Sequence, residues 1–90
     1  MSTPQTDHPP IRMYSTNWCG DCRRSKRFLE AHQIPFEEIN IDENHQAAEV
    51  VLAINHGARS VPTIVFPDGS VLVEPSNLAL AGKLGIKIER

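Results

Sequence analysis

Ninety residues make a single small domain, for which a compact sheet with a few covering helices is the economical way to build a core. With 9 Lys and Arg against 11 Asp and Glu the formal charge is −2, which argues against nucleic acid or an anionic membrane as the main partner. No run reaches the ~20 apolar residues of a spanning helix, and the polar, proline-containing opening lacks the apolar core of a signal peptide, so the expected location is the cytoplasm.

Residues 1–10, with Pro4, Pro9 and Pro10, read as a disordered lead, and residues 11–90 as the folded domain. Ile11 to Tyr14 is a first strand, and Ser15 to Trp18 form the loop after it. The spacing predicts a helix from about Asp21 to His32, with Cys22, Ser25, Phe28 and Leu29 near one face and the charges elsewhere. Pro35 closes the connection to a second strand, Phe36 to Ile41. Asp42 is placed as the N-cap of a second helix running to Asn55. Ala47, Val50, Val51 and Ile54 are its buried stripe, and Gly57 is its stop.

Thr63 to Phe66 and Val71 to Val73 read as an antiparallel hairpin around Pro67-Asp68-Gly69-Ser70, where Gly69 supplies a positive φ. Ser76 then caps a last helix carrying Leu78, Leu80, Ala81 and Leu84, which ends at Gly85. The order is β-α-β-α-β-β-α. A βαβ unit followed by a hairpin and a packing helix gives an α/β fold with a mixed four-stranded sheet covered by helices. That is the thioredoxin-like fold in minimal form.

The chain has two cysteines, and only Gly20 and Asp21 separate them. One tight pair, rather than a spread of staples, points to redox or metal chemistry. Cys19 falls where a helix begins, so free N–H groups and the positive dipole end favour its thiolate. Bringing a thiol pKa from ~8.5 to ~6 takes roughly 3.4 kcal/mol. The dipole gives ~1–2 of that, and N–H groups bonded to sulfur give the rest. Arg23, Arg24, Lys26 and Arg27 add a screened favourable field, and Asp21 opposes it. Cys22, one turn inside, stays protonated and acts as the resolving thiol.

Other readings of the pair are a structural disulfide, a zinc site and an iron–sulfur cluster shared in a dimer. The disulfide closes too small a loop to contribute much stability. Zinc needs four ligands, and His8, His32, His45 and His56 stand at no ligand spacing. The redox reading is strengthened because this pair follows a strand and opens a helix.

A second signal is Ser60-Val61-Pro62-Thr63 ahead of the third strand. By composition alone, Pro62 simply starts a strand, where its missing N–H is harmless. Trp18-Cys19-Gly20-Asp21-Cys22 followed some forty residues later by Val61-Pro62-Thr63 resembles the glutaredoxin family. The likeness is to its mycoredoxin branch in particular, which carries a similar Trp-Cys-Gly-x-Cys. It spans about Ile11 to Leu84. It implies a cis peptide before Pro62 facing the cysteines, with the Val61 backbone pairing with the substrate like an extra strand. Glutathione-using members usually have Pro-Tyr between the cysteines, a lysine shortly before them and a Gly-Gly step before the last helix. Here those places hold Gly20-Asp21, Thr16-Asn17-Trp18 and Val73-Glu74-Pro75, so mycothiol or a protein disulfide is as plausible a substrate as glutathione.

Among the remaining candidates, Trp18 is a substrate platform or a loop aromatic packed on the core, and Tyr14 belongs to the core. Arg59 is a solvated charge or an anchor for a substrate carboxylate. The N–H groups of the Ser76-Asn77 helix start can hold a carboxylate. The histidines are read as surface residues. The chain is therefore expected to be a thiol–disulfide oxidoreductase acting on S-thiolated or disulfide-containing proteins. It needs no bound cofactor or metal, takes mycothiol or glutathione as co-substrate, and is a monomer by default. The rival within this class is a thioredoxin-like dithiol reductant recharged by a flavoprotein reductase. The rival from another class is an iron–sulfur scaffold or carrier.

Overall fold

The computed structural model describes residues 10–87; the expected disordered lead, apart from Pro10, lies outside the described residues. The elements are β1 Ile11–Ser15, α1 Gly20–Ala31, β2 Phe36–Asn40, α2 His45–Ile54, β3 Thr63–Val65, β4 Val71–Val73 and α3 Asn77–Leu84. They form one mixed sheet in the order β2-β1-β3-β4, as the βαβ-plus-hairpin pattern predicts. β1 runs parallel to β2 and antiparallel to β3, and Tyr14 faces Thr63 across the ladder.

Strand alternation divides the core between the two faces of the sheet. Tyr14 packs in a cluster with Ala47, Ala48 and Val51 of α2 and with both cysteines. Met13 and Ile64 pack in a cluster with Phe28 of α1 and with Leu80 and Ala81 of α3. Cys22, Ser25, Phe28 and Leu29 form the buried face of α1, as their spacing predicts.

Three details differ from expectation. Asp42 does not cap α2. Its N–H donates to Asn40 Oδ1 at 2.8 Å, which turns the chain there. The helix starts three residues later, with Asn44 Oδ1 accepting the Ala47 N–H at 3.0 Å. Val50 is 41% exposed while Ala48 is buried. At ~100° per residue, Ala47, Ala48 and Val51 define a face whose centre lies about 100° from Val50. Leu78 likewise points outward from α3, 67% exposed, and Leu80 and Ala81 carry its packing.

All three helices end in the same way, with a left-handed residue followed by a bond reaching five residues back. Gln33, His56 and Gly85 take positive φ. The N–H groups of Ile34, Gly57 and Ile86 donate to the carbonyls of Leu29, Leu52 and Ala81. Only Gly85 advertises this by residue type. Gly57 has positive φ too, but it follows the left-handed His56.

The β3–β4 turn is tied to α3 by Lys83 Nζ, 2.7 Å from Asp68 Oδ2 and 5.2 Å from the Phe66 ring centroid. The Lys83 ammonium, and then the Ser70 hydroxyl and N–H, hold the Asp68 carboxyl well below the usual carboxylate range. A depressed folded pKa gives stability that is complete above the unfolded value of about 4 and is lost on further acidification. Asp68→Asn is accordingly expected to flatten the fall in melting temperature between pH 5 and pH 2. The effect is small because the group is exposed. An unaltered acid slope in thermal melts would show that the pair contributes nothing.

Candidate active site at the start of α1

The ends of β1, β2 and β4 and the beginning of β3 meet at one edge of the sheet, and α1 begins there. Cys19 is the N-cap of α1, with extended backbone (φ −90°, ψ 112°). Its Sγ accepts the Cys22 N–H at 3.0 Å. The first-turn N–H groups of a helix have no partner within it, so sulfur here does what a serine or aspartate oxygen does at an ordinary cap. The same N–H would stabilise negative charge on that sulfur in the reduced protein. The two sulfurs are joined as a disulfide, with Cα atoms 5.2 Å apart. Cys22 is 2% exposed and Cys19 7%, and only Cys19 reaches the wall of the adjoining cavity.

The Val61–Pro62 peptide is cis, as the family likeness implies. The Val61 carbonyl oxygen lies 3.7 Å from Cys19 Sγ. Pro62 is fully buried, and its carbonyl accepts the Glu74 N–H at 2.8 Å. Thr63 Oγ1 donates to the Ser60 carbonyl at 2.7 Å and accepts from Asn55 Nδ2 at 3.0 Å. The segment beside the sulfur is thus pinned from β4, from α2 and by its own turn.

Trp18, Cys19, Asp21, Arg59, Val61 and Glu74 line an open cavity of about 570 Å³. Trp18 stands 71% exposed at its rim, and Tyr14 is buried as expected. Arg59 lines the cavity with its side chain half exposed, and its Nη2 is 2.7 Å from Asp42 Oδ1. Ser76 and Asn77 do not line this cavity. Ser76 Oγ accepts the Ala79 N–H at 3.0 Å. Asn77 lines an adjoining hollow of about 510 Å³ along α1, with Arg23, Arg27 and Phe28. Gly20 borders both spaces.

The basic run after the cysteines is largely engaged by neighbours. Arg23 donates to the Asn17 carbonyl at 3.2 Å. Arg24 pairs with Asp21 at 2.9 Å, which mutes the opposing charge expected of Asp21. Lys26 pairs with Glu38 at 2.9 Å, and the Glu38 carboxylate raises the Lys26 pKa. Among the described residues no three His, Cys, Asp or Glu side chains converge as a metal-ligand set, and none of the helices is long and apolar enough to cross a membrane. Sequence reasoning missed Glu74 and Ser60 as lining residues, although Ser60 opens the Ser60-Val61-Pro62-Thr63 signal, and it missed the Asp42 partner of Arg59, which no local motif marks.

The family model described as Glutaredoxin matches residues 11–72. A Mycobacterium tuberculosis protein named as a glutaredoxin is 45% identical over 74 residues, covering 82% of this chain and 88% of its own length. Mycoredoxin 1 of Corynebacterium glutamicum is 33% identical over 79 residues, covering 88% of this chain and 92% of its own. The solved structure of the glutaredoxin-like NrdH-redoxin of Escherichia coli, described as having a thioredoxin-like activity profile, superposes with a TM-score of 0.62 at 33% identity. It covers 71% of this chain and 80% of that one.

Proposed function

Because the chain belongs to the glutaredoxin family of thiol–disulfide oxidoreductases, we propose that it reduces small-thiol mixed disulfides and protein disulfides, with Cys19 as nucleophile and Cys22 as resolving thiol. The observation that supports this most is the Cys19 sulfur at the cap of α1, facing the cavity and taking the Cys22 N–H. The Cys19 thiolate attacks one sulfur of the target disulfide. That forms a Cys19 mixed disulfide and expels the other half as a thiolate. Cys22 then loses its proton and attacks the Cys19 sulfur. This yields the Cys19–Cys22 disulfide and frees the second half, so two electrons pass to the target. Alternatively a small thiol releases Cys19 directly. Val61 offers its backbone to the incoming chain, and Trp18 offers its face. No metal or organic cofactor takes part. The protein works as a monomer in the cytoplasm, on residues 11–90.

A second reading, a dithiol reductant recharged by a flavoprotein reductase, is favoured by one observation. Neither candidate carboxylate anchor is free beside Cys19: Arg59 is paired with Asp42, and Asn77 lines the other hollow. The test starts from the fully oxidised protein, offered in turn glutathione, mycothiol, and NADPH with a thioredoxin-type reductase. Thiol release is read as the return of two free sulfhydryls. Recharging by a small thiol, mycothiol faster than glutathione, is the expected result. Recharging by the reductase alone would replace this reading with the dithiol one. Brown protein with visible absorption after anaerobic purification would favour the cluster carrier instead.

A further inference from the structure

Arg59 is the cationic side chain lining the cavity beside Cys19, along with the carboxylates of Asp21 and Glu74. Its guanidinium is held by Asp42, 2.7 Å away. Asp42 is itself fixed by the hydrogen bond from its N–H to Asn40 Oδ1 at 2.8 Å. Asn40 Nδ2 in turn donates to Asn17 Oδ1 at 2.8 Å, in the loop that leads to Trp18 and Cys19. Of the two carboxylates in the wall, Asp21 is neutralised by Arg24, while Glu74 forms no ion pair among the described residues.

Resting on the exchange reaction proposed above, we propose that Asp42 sets the substrate class of this site. By taking one N–H of the half-exposed Arg59 guanidinium and partly offsetting its charge, it weakens the pull on a second carboxylate, so the site prefers mixed disulfides whose small-thiol half carries none. A carboxylate entering the cavity gains only the difference between itself and Asp42 as a partner for Arg59, and it enters the field of Glu74. A small thiol rich in hydroxyl and amide groups meets neither penalty. The internal ion pair is thus an element directed against one class of ligand, and discrimination is a difference between two affinities. Asp42 touches no reacting atom; it acts by positioning Arg59.

The full chain, reduced beforehand, is mixed with one cysteine peptide carried as two mixed disulfides, with glutathione and with 2-mercaptoethanol. Single-turnover rates are followed against concentration. Asp42→Asn is expected to lower the half-saturation concentration for the glutathione form by roughly three- to fivefold, the scale of one exposed ion pair. The rate at saturation should stay the same, and the gain should be confined to that substrate. Adding Arg59→Ala should cancel the gain, and added salt should shrink it. If Asp42→Asn leaves the ratio of the two substrates unchanged, or shifts both equally, the proposal is wrong and Asp42 is merely structural. If the wild type reacts with neither substrate, the exchange reading itself fails, and this inference fails with it.

Discussion

Replacing Cys19 by serine is expected to remove thiol exchange with every disulfide substrate, while replacing Cys22 divides the substrates into two groups. A serine hydroxyl is not ionised at neutral pH, so the Cys22 N–H at 3.0 Å has no anion to stabilise. The loss should leave no exchange above the uncatalysed background, since the covalent step has no nucleophile. Cys22→Ser leaves Cys19 at the helix cap and in the cavity wall. Mixed disulfides of a small thiol should therefore still turn over within a few-fold of wild type when that thiol is supplied. Protein disulfides should not, because the Cys19–substrate bond formed in the first step then has no internal thiol to break it. That intermediate should accumulate and be visible by intact mass. Equal loss in both variants on a small mixed disulfide would exclude direct release by the small thiol. Full activity of Cys19→Ser would reverse the assigned roles.

The parts of this molecule legible in its sequence are those decided locally. The buried face of α1 is clear because four basic residues crowd the other positions around Ser25 and Phe28. The β3–β4 turn is clear because Gly69 takes the positive φ that its place demands. Cys19, Cys22, Val61 and Pro62 are found from two short motifs, and the sheet then brings the motifs together through the Tyr14–Thr63 pairing. What stayed hidden was decided by partners distant in sequence. Asp42 and Asn44 are both good caps by residue type. The choice falls to Asn44, whose side chain takes the Ala47 N–H, while the Asp42 carboxylate, the group a cap would use, is drawn to Arg59, 17 residues on. The inward turn of Ala48 in place of Val50 is likewise set by how α2 sits on the sheet. A helical wheel alone does not show it. Glu74 enters the cavity wall only because β4 lies beside β3 and its N–H reaches the Pro62 carbonyl.

The same architecture predicts where the fold is most sensitive. Ile64 lies in β3 between Met13 of β1 and Leu72 of β4, with no exposed surface. It packs in the cluster of Met13, Phe28, Phe66 and Leu80 that fixes α1 and α3 to the sheet. Ile64→Ala removes three carbons from a site walled by two strands and two helices, which collapses poorly around the gap. The expected cost is about 2–5 kcal/mol, a large share of the roughly 5–13 kcal/mol that stabilises a domain of this size. At about 4–8 °C per kcal/mol for a domain of this length, the melting temperature should fall by roughly 8–40 °C. Val50→Ala makes a similar apolar deletion at a residue that is 41% exposed, so its cost should be below about 1 kcal/mol. Circular-dichroism melts of both variants in the same redox state decide the matter. If Val50→Ala lowers the melting temperature as much as Ile64→Ala does, the packing of α2 against the sheet is wrongly assigned. If instead Ile64→Ala melts like the wild type, the cluster around β3 does not hold the helix that carries Cys19 in place.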